Sequence, residues 1–217
     1  MRHVFHEQLK EMQQRIVYMG HMVTDMIDKA TLSLARKDSA LARHVIAADD
    51  EIDRLLIEVQ IKAMQLLALQ QPMARDLRTI GTGMKIVTDL ERMADHATDI
   101  AKVTLRLEGE PLMKPLVDIP RMAALAQEMT RQALTAYVDQ DEALARAMIE
   151  MDHKVDALYS AMFDELLGFM ERDPALVKQA TYLLHVAAYL ERVADHATNV
   201  GEWTIYMMTG VIQELNN

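Results

Sequence analysis

Two short strings in this chain carry carboxylates at a spacing that suits chemistry. Residues 90–101 read LERMADHATDIA and residues 190–201 read LERVADHATNVG; they differ only at 93/193, 99/199, 100/200 and 101/201. On a helix turning about 100° per residue, Asp95 lies about 40° from Glu91 and Asp99 about 80°. Leu90, Met93, Ala94, Ala97 and Ala101 fall roughly opposite. Each string therefore predicts a helix that buries a Leu/Met/Ala face and turns a stripe of acid away from it. Glu191 and Asp195 repeat the stripe, and Asn199 stands in place of the third acid. A second pattern lies upstream of each string. DSALARHVIAADDEID (38–53) aligns with DEALARAMIEMDHKVD (141–156), which puts Asp49 over Asp152 and Asp53 over Asp156.

A single pair of acids one turn apart is ordinary solvated surface. Like charges at that spacing nevertheless cost a helix about 0.2–0.5 kcal/mol per pair, and here the pairs recur on two helices of each half. Carboxylates one turn apart, about 6 Å along the axis, can close on one metal ion. An all-oxygen set favours magnesium, manganese, calcium or iron over zinc. Two helices contributing two acids each would leave open positions for water or a bridging anion. His96 and His196 lie on the polar arc and read as solvated or hydrogen-bonded rings rather than ligands. The eighteen methionines read as adaptable core filling. Trp203 reads as packing near a bundle end.

The elements that must hold these acids are helices. Apolar residues recur at spacings of three and four, as in Ile52, Leu55, Leu56, Val59 and Ala63, and no stretch alternates as a half-buried strand would. Helices are expected at 3–36, 39–69, 73–107, 120–138, 141–171 and 174–214. Asp38 and Ser39 can cap the second. QQP ends it with Pro72 opening the third, and RDP punctuates at Pro174. The clearest break is GEPLMKPLVDIP at 109–120. The repeats extend to Met19 over Met122, Met26 over Met129 and Ala30 over Ala133. The expected fold is all-α: two tandem three-helix bundles related by internal duplication, at 1–108 and 120–217, joined by a linker at 109–119.

Composition narrows the function. The formal charge of −10 argues against nucleic acid as partner, and the absence of cysteine removes disulfides and thiolate metal sites. No apolar run approaches the roughly 20 residues a membrane span requires, and the first residues carry no hydrophobic signal core, so a cytoplasmic location is expected. A di-iron enzyme needs Glu-x-x-His on two helices; this chain has Glu150 to His153 and no second copy to pair with it. A phosphotransfer bundle would need an activated histidine, and nothing in the sequence around His96 or His196 marks one. No glycine-rich phosphate cradle or Ser/His/Asp arrangement can be assembled, so no enzymatic activity is expected.

The doubled strings, together with QPMARDLRTI at 71–80, resemble the signatures of the PhoU family over essentially the whole chain. The resemblance implies a cytoplasmic negative regulator of phosphate uptake and of the phosphate-starvation response. Such a protein binds the ATPase subunit of the phosphate ABC transporter and its sensor histidine kinase, reaches the membrane only through those partners, and is frequently a homodimer. It also implies multinuclear metal sites, often of iron or zinc: carried over by position, Glu91, Asp95 and Asp99 with Asp49 and Asp53 of the adjacent helix form one, and Glu191, Asp195, Asp152 and Asp156 the other. Asn199 departs from that pattern, so the second site is expected to hold fewer ions. Leu176 and Lys178 replace Asp76 and Arg78, so the RDLR surface belongs to the first half alone. A helical bundle binding metal through bridging carboxylates, as an enzyme or a metal store, is the alternative reading.

Overall fold

Runs rich in Leu, Ala, Met, Glu and Gln propagate as long helices. The structure, a computed structural model, describes residues 2–70 and 73–215, and among these there is no strand. The helices are α1 (Arg2–Arg36), α2 (Ser39–Gln70), α3 (Ala74–Arg106), α4 (Asp118–Asp139), α5 (Glu142–Ala147), α6 (Ile149–Arg172) and α7 (Val177–Thr209), with a 3-10 turn at Pro174–Leu176 before α7. Gln71 and Pro72 lie outside the described residues, and with them the expected QQP stop and the opening proline.

The duplication reaches down to the turns. Lys37 and Gln140 end α1 and α4 in the left-handed region, at φ 56° and 54°. Asp38 N donates to Ser33 O at 2.8 Å, and Asp141 N to Ala136 O at 3.0 Å. The Asp38 side chain then accepts from Leu41 N at 2.9 Å and Asp141 from Leu144 N at 3.0 Å, capping the next helix. Both turns thus use one device: a left-handed residue closes one helix and an aspartate starts the next.

Three expected boundaries differ. The single helix expected at 141–171 is two, because the chain turns at Met148 between α5 and α6. No glycine or proline marks that turn. It sits where α5 comes close to α7: a Cβ added at Gly201 would lie 2.2 Å from Met148 Cε and 3.3 Å from the Ala145 carbonyl oxygen. The last helix starts at Val177 after the 3-10 turn rather than at 174. It stops at Thr209 rather than 214, with Gly210 at φ 77°. There the Arg78 Nε donates to Met207 O at 3.2 Å and satisfies an end-of-helix carbonyl.

α2 packs on α1 and α3, and α6 on α4 and α7, so each half is a three-helix bundle. The halves also meet directly, α3 against α7 and α1 against α4. The centre of the molecule is therefore a four-helix group flanked by α2 on one side and α6 on the other. One apolar core runs through it, including Met19 and Met122, Met26 and Met129, and Leu90 and Leu190. The linker is tied down: Gln179 Nε2 donates to Pro111 O at 2.9 Å, and Lys178 reaches Glu110 at 2.7 Å.

A shared core makes the halves one cooperative unit. Calorimetry should show a single unfolding transition, and Leu90→Ala, which empties a fully buried site, should lower it by about 2–5 kcal/mol as one peak. Two separated transitions would show that the halves fold independently.

Candidate functional site

α3 and α7 run antiparallel, each between its own outer helix and the other half. The burial pattern of residues 91–100 is repeated residue for residue in 191–200. The acid stripe of α3 faces α2 and that of α7 faces α6. The sequence wheel placed the whole polar arc outward. The structure divides it: Glu91 and Asp95 look toward α2, while Asp89 and His96 lie against α7, because the second bundle covers that side.

In the first cluster, Asp49 and Asp53 of α2 stand against Glu91 and Asp95 of α3. Burial raises the Asp49 carboxyl above its ordinary range, and repulsion from Asp95 and Asp53 adds to it; Lys102 and the Thr98 hydroxyl oppose. Glu91 is raised by burial first and then by Asp95, with Arg92 opposing. Arg92 Nη1 lies 3.1 Å from Asp95 Oδ2, and Arg92 Nε lies 3.5 Å from Glu91 Oε2. Asp99 stands at the edge of this group and pairs with Lys102 at 2.9 Å.

The second cluster is Asp152 and Asp156 of α6 with Glu191 and Asp195 of α7. Asp152 is only 4% exposed. Its carboxyl is raised by burial, then by Asp156 and Asp195, while Thr198 Oγ1 donates to Asp152 Oδ1 at 3.3 Å. Glu191 and Asp195 are raised for the same reasons, burial leading. None of the described ion pairs involves these four acids. Beside the clusters the charge reverses between the halves: Lys102, next to the first, becomes Glu202.

Eight of the nine acids singled out from the sequence are thus gathered into two facing quartets. Within them the like charges stand apart, and among the described residues no three acid or imidazole side chains converge as ligands of one ion. The donor chemistry still fits a hard cation: four oxygen-donor side chains from two helices. A cation there would favour the ionised form of Asp49, Glu91, Asp152, Glu191 and Asp195, which burial and then neighbouring carboxylates disfavour.

Sequence reasoning missed the polar contacts between the halves. His196 Nδ1 lies 2.9 Å from Asp89 Oδ1, and Asn199 Nδ2 donates to the same oxygen at 3.3 Å. One hundred positions earlier the equivalent of His196 is His96, and the equivalent of Asp89 is Tyr189. His96 accordingly stacks on Tyr189 at 5.7 Å and on His196 at 5.8 Å. Its Nδ1 is buried without a partner. Burial, then His196 and Arg192, push the His96 imidazole down to about 4. The ring is half-buried and stacked between Tyr189 and His196 rather than freely solvated. Trp203 also lies at this junction, with Lys85 5.2 Å above its ring. The only sequence signal for this interface was polar residues continuing round α3 past the acid stripe.

The chain matches the PhoU domain model twice, at residues 16–104 and 119–204. It is 41% identical to a phosphate-specific transport system accessory protein PhoU homolog of Clostridium acetobutylicum, over all of this chain and 99% of that one. It is 37% identical to a PhoU homolog 2 of Thermotoga maritima, over 97% and 89%. The crystal structure of PhoU from Pseudomonas aeruginosa superposes with a TM-score of 0.91 at 31% identity, covering 95% of this chain and all of that one. The phosphate transport system regulatory protein PhoU of Streptococcus pneumoniae gives 0.89 at 30%, over 96% and 99%.

His96 generates a pH prediction. Its folded value lies below the ordinary 6.5, so the unfolded chain takes up the proton first and stability is lost as pH falls from 6.5 toward 4. His96→Gln should lose less melting temperature than the wild type between pH 7.5 and pH 5. Equal losses in the two proteins would show that His96 is not held neutral.

Proposed function

Because this chain belongs to the PhoU family, we propose that it is a cytoplasmic negative regulator of phosphate uptake and of the phosphate-starvation response. It acts by binding the ATPase subunit of the phosphate ABC transporter and the sensor histidine kinase. The observation that carries this reading is full-length similarity to accessory proteins of phosphate transport, with the acid strings of both halves held in equivalent places. The architecture agrees with it. The molecule is a helical body with a continuous core, its acids stand against one another across helices, and among the described residues no nucleophile with an activating base is assembled. Such a body works through the surfaces it presents. No helix among the described residues is long and apolar enough to cross a membrane, which suits a protein that reaches the transporter from one side. A homodimer is part of the same proposal.

We assign metal binding to the two quartets: Asp49, Asp53, Glu91 and Asp95, with Asp99 at the rim, and Asp152, Asp156, Glu191 and Asp195. Iron, zinc, manganese or magnesium are the candidates, and hard oxygen ligands favour the harder ions. A bound cation would supply charge that fastens α2 to α3 and α6 to α7. The chain's own part is to hold four carboxylates on two rigid helices, with Thr98 and Thr198 behind Asp49 and Asp152.

Two experiments test these readings. Deleting the protein should derepress phosphate-starvation genes in phosphate-rich medium, and the purified protein should capture the kinase, the ATPase or both. Normal repression in the deletion strain, together with no capture, would refute the regulatory role. For the metal, Glu91→Ala with Asp95→Ala should strip the first half of its ions while helix content persists. In chelator-treated protein the same change should leave stability unchanged or raise it by about 0.2–0.5 kcal/mol per relieved pair. Elemental analysis and far-UV circular dichroism of the double variant read both; undiminished metal would place the ions elsewhere.

A further inference from the structure

The duplication provides an internal control for surface features, since what one half has and the other lacks was not required by the shared fold. One such feature is a groove of about 570 Å³ between α4 and α6, lined by Arg121, Ala124, Leu125, Lys154, Ala157 and Leu158. The corresponding positions between α1 and α2 hold Tyr18, His21, Met22, Glu51, Arg54 and Leu55. Larger side chains stand there in place of the two alanines, and Arg54 neutralises Glu51 in a salt bridge. In the second half alanine stands where His21 and Arg54 stand in the first. The floor is left apolar and low, and the charge at the rim changes sign from Glu51 to Lys154.

Charge separates this groove from three other hollows on the surface. Those beside Asp28, beside Glu11 and Glu58, and beside Asp195, Glu202 and Glu214 all carry acid. This one carries a cation toward each end and no carboxylate in its lining. Arg121 shares its charge with Asp118 at 3.1 Å; none of the described ion pairs involves Lys154. On a chain of net charge −10, a positively rimmed apolar groove selects against most of the protein's own surface and for an acidic partner. Its walls are two antiparallel helices, and Ala124 and Ala157 let a third helix approach closely, ridge into groove.

We propose that the α4–α6 groove is a docking site for an acidic amphipathic helix of a partner protein. Leucine-type side chains of that helix seat on Leu125 and Leu158, and its carboxylates meet Arg121 and Lys154. The proposal rests on the reading of this protein as one that acts by being bound. It adds where one partner sits and what that partner's segment is made of.

The test uses the full chain and two fluorescent synthetic helices of roughly 18 residues, about five turns. Both present leucine on one face; one has glutamate and the other lysine along the flanks. Fluorescence anisotropy should show saturable binding of the glutamate helix and at least about tenfold weaker binding of the lysine helix. Lys154→Glu, which copies the first half, and Ala157→Gln, which raises the floor, should each weaken the glutamate helix about tenfold or more. Both positions are exposed, and circular dichroism confirms the fold of each variant. Absence of saturable binding, equal binding of the two helices, or wild-type binding by both variants would overturn the proposal. If the intact kinase or ATPase is still captured by the Lys154→Glu and Ala157→Gln variants as by the wild type, the groove assignment fails while the regulatory reading stands.

Discussion

The contact of α3 with α7 organises everything else in this molecule. It buries one flank of each motif helix against the other half, so the opposite flank must face the outer helix of its own half. That constraint directs Glu91 and Asp95 toward α2, and Glu191 and Asp195 toward α6. Each quartet of carboxylates is therefore a product of packing elsewhere: apolar side chains such as Leu90 and Leu190 fix the rotation of the helix, and the acids go where that rotation sends them. Their repulsion is a local cost carried by a large shared core.

The two halves are alike in backbone and unlike in electrostatics. The turns at Lys37–Asp38 and Gln140–Asp141 share the left-handed residue and the aspartate cap, and the motif helices match in burial. The first quartet nevertheless contains Arg92 paired with two of its acids and has Lys102 beside it, while the second has no such ion pair. At the junction one histidine meets an aspartate and its counterpart meets a tyrosine. A duplicated scaffold thus gives two clusters of one geometry and two charge environments.

Much of this was legible beforehand. The helix count was one short, since α5 and α6 were read as a single helix. That reading, the linker and the capping role of Asp38 followed from periodicity and turn chemistry, which are local. The gathering of acids from α2 with α3, and from α6 with α7, followed from spacing plus the repeat. The places where the structure adds to that reading have separate causes. The break at Met148 has no turn residue; it follows from the approach of α5 to Gly201. The stop at Gly210 was readable as a C-terminal glycine signal but became firm through Arg78, which is distant in sequence. Asp99 has the right spacing for the quartet, yet its side chain is drawn to Lys102 at the edge.

The sequence alone determined the helical class, the duplication, the core faces and the identity of the charged groups, because these depend on residue type and on spacings within a few turns. Only the tertiary structure decided which side of the polar arc is covered, that His96 packs on Tyr189 while His196 has a carboxylate partner, and that a groove lies between α4 and α6. Each of those outcomes depends on which helix lies opposite. That choice is made by packing between segments a hundred residues apart, which no local pattern records.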